Sequence, residues 1–311
     1  MSSIPPSQYE STGSGILQEA LIISCCNRKD ATHFVIQHGN RLKYLIELKS
    51  GIKHLKRTIA AYDTGLLLLL RLISFIPKQL LIFAKLGYFA NVKLHPAVNE
   101  KVPTTSRWNI LVGAYDDVQK IVLQCFDQER EACTFIKVGN KGSAEQMERE
   151  INFLRNAGTF QTFTTPILVD SVSIHNGSPF TILITKDFKG KKINHKLTEK
   201  LFNIATEIAG EPILVNGEPH TFSHGDFAPW NIRKNGNGFI VFDWEHYGLR
   251  PEGYDLIYFH IMIEIALNHR NFDEAYNRAL RTVKRFNPNL SPNRELILHH
   301  FSKTTKALNY K

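Results

Sequence analysis

Residues 223–248 read "SHGDFAPWNIRKNGNGFIVFDWEHYG", with Asn231 five positions beyond Asp226 and Asp243 twelve beyond Asn231. Two carboxylates and an amide are the residue types that take a proton from a hydroxyl and ligate a hard cation. Mg²⁺ takes oxygen ligands, usually one or two carboxylate or amide side chains besides water and phosphate. Moving a phosphoryl group to a hydroxyl needs that set and little covalent chemistry from the protein: a carboxylate near the acceptor and cations spread along the phosphates. An Asp and an Asn five apart also occur by chance in polar hairpins. Here His-Gly precedes them, Trp-Asn lies within, and Phe-Asp-Trp-Glu follows.

The spacing shows how the three side chains meet. Asp226 to Asn231 is one loop, stiffened by Pro229. "NIR" leads into the glycine-rich reversal "KNGNG", and "FIVF" returns to Asp243. Such a hairpin sets Asn231 and Asp243 side by side at its open end.

"HGDFAPWN" and "FDWE" resemble the catalytic loop and metal-binding motif of the aminoglycoside phosphotransferase and choline kinase-like superfamily, small-molecule relatives of the protein kinases. The resemblance covers about residues 108–285 and implies that Asp226 is the general base, that Asn231 and Asp243 bind Mg²⁺, and that His224 supports the scaffold. It further implies nucleotide contacts from Lys137 in "FIKVG", with Glu150 on the following helix as the anchoring carboxylate. Glu150 is favoured over Glu145 and Glu148 because it shares the side of Met147, Ile151 and Leu154. "ITKDF", with Thr185 and Asp187, resembles the connection that bonds the nucleotide base. The chain departs from the pattern at the phosphate-covering loop, where "LVGAYDDVQK" offers only Gly113 beside two aspartates. ATP and GTP both remain open as co-substrate.

The elements that must position these residues follow in order. "WNILVGAY", "KIVLQCF" and "CTFIKVG" read as an antiparallel meander. "SAEQMEREINFLRNAG" is a helix with a Ser143/Gln146 capping box, and two more strands flank "HNGS". Beyond Gly190 the chain is mainly helical, with Leu197, Leu201, Ile204 and Ile208 on one stripe before a Gly210 cap. The expected fold is α+β and bilobal, protein-kinase-like by the resemblance: an N-lobe over 108–188 and a helical C-lobe over 189–311.

Residues 1–15 are Ser/Pro/Gly-rich and read as disordered, and 16–107 form an N-terminal extension of uncertain fold with a few strands in 16–50. Within it, 65–92 is an apolar stretch interrupted at intervals of seven by Arg71, Lys78 and Lys85. That spacing drifts by about 20° per step around a helix and gives a thin basic stripe. The charges argue against a spanning helix. Two readings compete: an interfacial helix on anionic headgroups, and a buried helix whose basic groups reach solvent.

The hydrophobic fraction of 43% and the charged fraction of 22% belong to a globular chain with ample core. Of its formal charge of +9, the first hundred residues carry most, with 12 Lys/Arg against 6 Asp/Glu. No nucleic-acid motif or basic–aromatic stripe accompanies that excess, so nucleic acid is not an expected partner. Cys25, Cys26, Cys125 and Cys133 have neither zinc spacing nor the density of a disulfide scaffold. With no signal-peptide pattern at the start, a cytoplasmic protein is expected, with peripheral contact to the inner face of a membrane if 65–92 is interfacial.

Only about ten residues separate Asp243 from the next helix at Tyr254, too few for the long segment that docks a polypeptide. A small hydroxylated acceptor is therefore expected: a sugar or an envelope-glycan or lipid-linked intermediate. An aminoglycoside- or choline-type kinase and a nucleotide-binding pseudokinase are the alternatives.

Overall fold

The computed structural model describes residues 15–27, 29–38, 41–49, 87–104, 106–113, 117–126, 133–188 and 190–304. The chain divides into two compact units, one of residues 1–147 with 168–187 and one of 148–167 with 188–311. The described fold is α+β.

The first unit is built on a nine-stranded antiparallel sheet in the order β1-β4-β2-β3-β5-β6-β7-β9-β8. The meander expected from the apolar runs is present as β5 (Arg107–Val112), β6 (Lys120–Phe126) and β7 (Cys133–Gly139). Helix α3 (Ala144–Asn156) and strands β8 (Leu168–Val172) and β9 (Thr181–Lys186) follow in the expected order.

The remaining four strands come from the extension: β1 (Leu21–Cys25), β2 (His33–His38), β3 (Arg41–Glu47) and β4 (Gly87–Leu94). The extension therefore continues the same sheet, with β3 paired to β5 through Tyr44–Leu111 and Leu45–Ile110. One face carries the core: Val35, Leu45, Ala90, Val92, Ile110 and Ile121 pack with Ile16 and Leu17 of helix α1 (Ile16–Ala20). A short helix α2 (Pro96–Asn99) adds Val98 to that core.

Two expectations need correction here. The apolar stretch 65–92 is not helical to its end, because Gly87–Leu94 is strand β4, antiparallel to β1 and β2. Tyr88, Ala90 and Val92 alternate onto the core face with the period of a strand. Residues 65–86, with Arg71, Lys78 and Lys85, lie outside the described residues, as do 1–14, where disorder was expected. Among the described residues no helix is long and apolar enough to cross a membrane.

The capping box is also replaced. The Ser143 hydroxyl donates to the Asn140 carbonyl at 3.2 Å, and Gln146 Oε1 accepts from Lys120 Nζ at 2.6 Å. A 3-10 turn over Lys141–Ser143, capped by the Asn140 side chain, precedes α3 and takes up the capping role.

The second unit holds helices α4 (Glu199–Ala209), α5 (Tyr254–Ala266), α6 (Phe272–Val283) and α7 (Arg294–Thr304). The stripe read from the sequence is the buried face of α4: Leu201, Ile204 and Ile208 are buried, and Gly210 ends the helix at φ +58°. Helix α5 is buried nearly all round, as its apolar composition on every face requires. Two small antiparallel sheets complete the unit: β10 (Lys191–Lys192) with β13 (Ile232–Asn235) and β14 (Gly238–Val241), and β11 (Ile213–Val215) with β12 (Glu218–Ser223) and β15 (Gly248–Pro251).

Candidate active site

The loop holding Asp226 begins where β12 (Glu218–Ser223) ends. Gly225 there has φ +83°, and a Cβ on it would lie 2.2 Å from the His246 carbonyl oxygen, so only glycine fits. A 3-10 turn at Pro229–Asn231 closes the loop and delivers Asn231 to the start of β13 (Ile232–Asn235). The predicted hairpin is present. β13 pairs with β14 (Gly238–Val241) from Ile232–Val241 to Asn235–Gly238, and the Phe242 amide donates to the Asn231 carbonyl at 3.1 Å. Asp243 follows directly at the open end.

Asn231 and Asp226 are bonded to each other. Asn231 Nδ2 donates to Asp226 Oδ2 at 2.8 Å and to the Asp226 carbonyl at 3.0 Å. The Tyr258 hydroxyl also donates to the Asp226 carboxylate. Burial, and next the negative charge of Asp243, push the Asp226 carboxyl up to about 8. Asp243 itself sits in the left-handed region at φ 71°, a conformation Asp tolerates better than most side chains.

His224 has no accessible surface, and both ring nitrogens are engaged by backbone. Nε2 faces the Phe242 carbonyl at 3.0 Å, and Nδ1 accepts from the Asp226 amide at 3.2 Å. Burial lowers its pKa, so the neutral ring carries its proton on Nε2 and ties the loop to the strand before Asp243.

Glu150 is buried on α3, with Oε1 3.4 Å from the Trp244 amide. Its carboxylate shares a site with Asp243 and Glu245, their ligand atoms all within 4.8 Å of one another. Glu245 had no role in the sequence reading, although "FDWE" contains it. The three carboxylates of Asp243, Glu150 and Glu245 are oxygen donors of the kind that hold a hard divalent cation. The Asn231 amide nitrogen is committed to Asp226, which leaves its oxygen free of that bond.

A further residue that the sequence did not flag is Asp255, in the first turn of α5. Its buried carboxylate accepts from the Ser223 hydroxyl at 2.6 Å, the His224 amide at 2.7 Å and the Gly225 amide at 3.1 Å. An Asp inside "YDLIYFHIMIEIA" was the available signal, since a buried charge needs partners.

The remaining expected site residues belong to the first unit. Lys137 is half-buried on β7, between Val122 of β6 and Leu183 of β9. Thr185 is buried on β9 opposite Phe135, and Asp187 follows that strand. Gly113 donates its amide to the Lys120 carbonyl at 2.9 Å, and a Cβ would lie 2.8 Å from that oxygen. The β5–β6 hairpin thus accounts for this glycine and uses its N–H.

Residues 194–288, which span the loop, the hairpin and α5, match the model of a phosphotransferase enzyme family. The resemblance read from "HGDFAPWN" and "FDWE" holds there. No curated protein matches the chain. Among solved structures, an aminoglycoside-3'-phosphotransferase of type VIII is similar at 13% identity and a TM-score of 0.44, over 68% of this chain and 99% of that one. An amicoumacin kinase in complex with AMP-PNP, Ca²⁺ and Ami is similar at 12% identity and a TM-score of 0.39, over 63% of this chain and 80% of that one. A choline/ethanolamine kinase family protein from Mesorhizobium loti is similar at 12% identity and a TM-score of 0.30, over 64% and 88%.

Proposed function

We propose that this phosphotransferase moves the γ-phosphoryl group of a nucleoside triphosphate, ATP or GTP, to a hydroxyl of a small molecule, with Mg²⁺ as the required cation. The observation that carries the reading is the bonded pair Asp226–Asn231 with Asp243 charged beside it. Asp226 receives the proton of the acceptor hydroxyl. Asn231 and Asp243 would hold the cation, with Glu245 and Glu150 as further oxygen donors. When bound, the ion neutralises charge on the phosphates and offsets the effect of Asp243 on Asp226. The parts of Lys137, Gly113, Thr185 and Asp187 in nucleotide binding rest on the resemblance alone.

The small acceptor is supported by the short connection after Asp243. Its residues are committed to a 3-10 turn at Trp244–His246 and to β15 (Gly248–Pro251), which pairs with β12 from Ser223–Gly248 to His220–Pro251. No length remains for a polypeptide-docking segment. A sugar fits this reading, and the lipid-linked or envelope-glycan form of it depends on residues 65–86.

The test is phosphate transfer from ATP and GTP, with Mg²⁺, across sugars, aminoglycosides, choline and lipid-linked glycans, with Asp226→Asn as control. Transfer to one acceptor class that disappears in the variant supports the proposal. Nucleotide binding without transfer to any acceptor or to water turns it into the pseudokinase alternative.

A further inference from the structure

Helix α5 presents two polar groups, one turn apart, to the same loop. Asp255 and Tyr258 are three residues apart and so share a helix face. Asp255 takes the backbone amides of His224 and Gly225 and the hydroxyl of Ser223. Tyr258 takes the next residue, donating its hydroxyl to the side chain of Asp226. One helix therefore holds four consecutive loop residues, three through Asp255 and the fourth through its carboxylate.

The phenol is itself held in place. Tyr258 is 2% exposed, and its ring lies against Tyr254 at 5.6 Å and Phe301 of α7 at 5.6 Å. Phenylalanine would satisfy that packing, so the hydroxyl is not explained by the core. A buried tyrosine hydroxyl generally needs a partner, and here the partner is the base. On the other side, Asn231 occupies Oδ2 of the same carboxylate at 2.8 Å. Two donors from different elements leave the carboxylate little freedom to rotate about its own axis.

We propose that Tyr258 is a positioning residue for phosphoryl transfer. Its hydroxyl, with the Asn231 amide, fixes the plane of the Asp226 carboxylate so that an oxygen lone pair meets the acceptor hydroxyl. This rests on the function proposed above. Near-attack geometry is sensitive to small rotations, so a carboxylate released on one side loses rate rather than affinity.

The experiment uses the full chain with Tyr258→Phe, Mg²⁺ and ATP, and water as the acceptor. The expected result is a fall in kcat of about tenfold, the scale of one hydrogen bond to a charged group, with KM for ATP unchanged. Adding Tyr258→Phe to Asp226→Asn is expected to cost nothing further. A kcat within twofold of wild type, or a loss in KM instead of kcat, overturns the proposal. A second measurement is independent of turnover: a thermal-unfolding cycle of Tyr258→Phe, Asp226→Ala and the double variant. Non-additivity reports the bond, and additivity overturns the proposal. A wild-type chain that reports the bond but turns over no nucleotide sinks the functional reading, and the positioning role with it.

Discussion

Asn231 uses its one amide nitrogen twice on Asp226, on the carbonyl at 3.0 Å and on the carboxylate at 2.8 Å. The loop is closed onto itself by the residue whose amide oxygen is the proposed cation ligand. Asn231→Ala removes both functions. The expected outcome is a rise of about 10–100-fold in the Mg²⁺ concentration needed for half-maximal turnover, on the scale seen when groups supporting a metal are lost. A Mg²⁺ titration of the steady-state rate checks it, and an unchanged midpoint counts against Asn231 as a ligand.

Asp226→Asn should abolish most turnover and yet stabilise the metal-free protein. A general base contributes about 10²–10⁴-fold, which sets the expected loss. The stabilisation follows from the raised carboxyl. Above the ordinary Asp value of about 3.9 the unfolded chain releases this proton, while the folded chain holds it up to about 8. Folding therefore loses stability as pH rises across that window. Asn is neutral throughout, so its gain in Tm should grow from pH 5 to pH 8 in the presence of a chelator. A gain that shrinks over the same range refutes the assignment.

The arrangement of the candidate site was legible where it is local in the chain. Asp226, Asn231 and Asp243 lie within one loop and one hairpin, and the Asn-Gly-Asn-Gly reversal names the turn that joins them. Asp255 and Tyr258 act on that loop from a helix about thirty residues later, and no spacing rule links the two. Glu150 reaches Asp243 and Glu245 from α3, more than ninety residues earlier. Strand β4 was misread for a different reason. An apolar run is compatible with a buried strand and with a helix, and the alternation at Tyr88, Ala90 and Val92 is short against the apolar stretch before it.

Asp255→Ala should be strongly destabilising. The variant leaves the Ser223 hydroxyl and the His224 and Gly225 amides buried without the acceptor they share. A buried donor left without its acceptor costs about 1–3 kcal/mol, and more than one is left here. Asp255→Asn keeps one acceptor oxygen and should fall between the variant and wild type. Urea unfolding of the three proteins orders them, and a wild-type midpoint for Asp255→Ala contradicts the anchoring role of α5.

Acid should weaken the first unit through His33. The ring is 2% exposed and lies against Trp108, tilted by 32° with centroids 4.3 Å apart. Nδ1 is 2.9 Å from the Thr32 hydroxyl, which also accepts from the Val92 amide. Burial lowers the His33 pKa to about 4, so the folded chain keeps the ring neutral where the unfolded chain protonates it, from about 6.5 downward. The unfolded state then binds more protons, and stability falls as pH drops from about 6.5 to 4, by at most about 1.4 kcal/mol per pH unit from this group. His260 in the second unit, also lowered to about 4 by burial, adds a parallel slope there. His33→Phe keeps a flat apolar ring against Trp108 and removes the titration. Its Tm should hardly differ from wild type at pH 7 and should exceed it at pH 5, read by Trp108 emission with Trp230 and Trp244 replaced. An equal drop in both proteins between those pH values would place the acid sensitivity elsewhere.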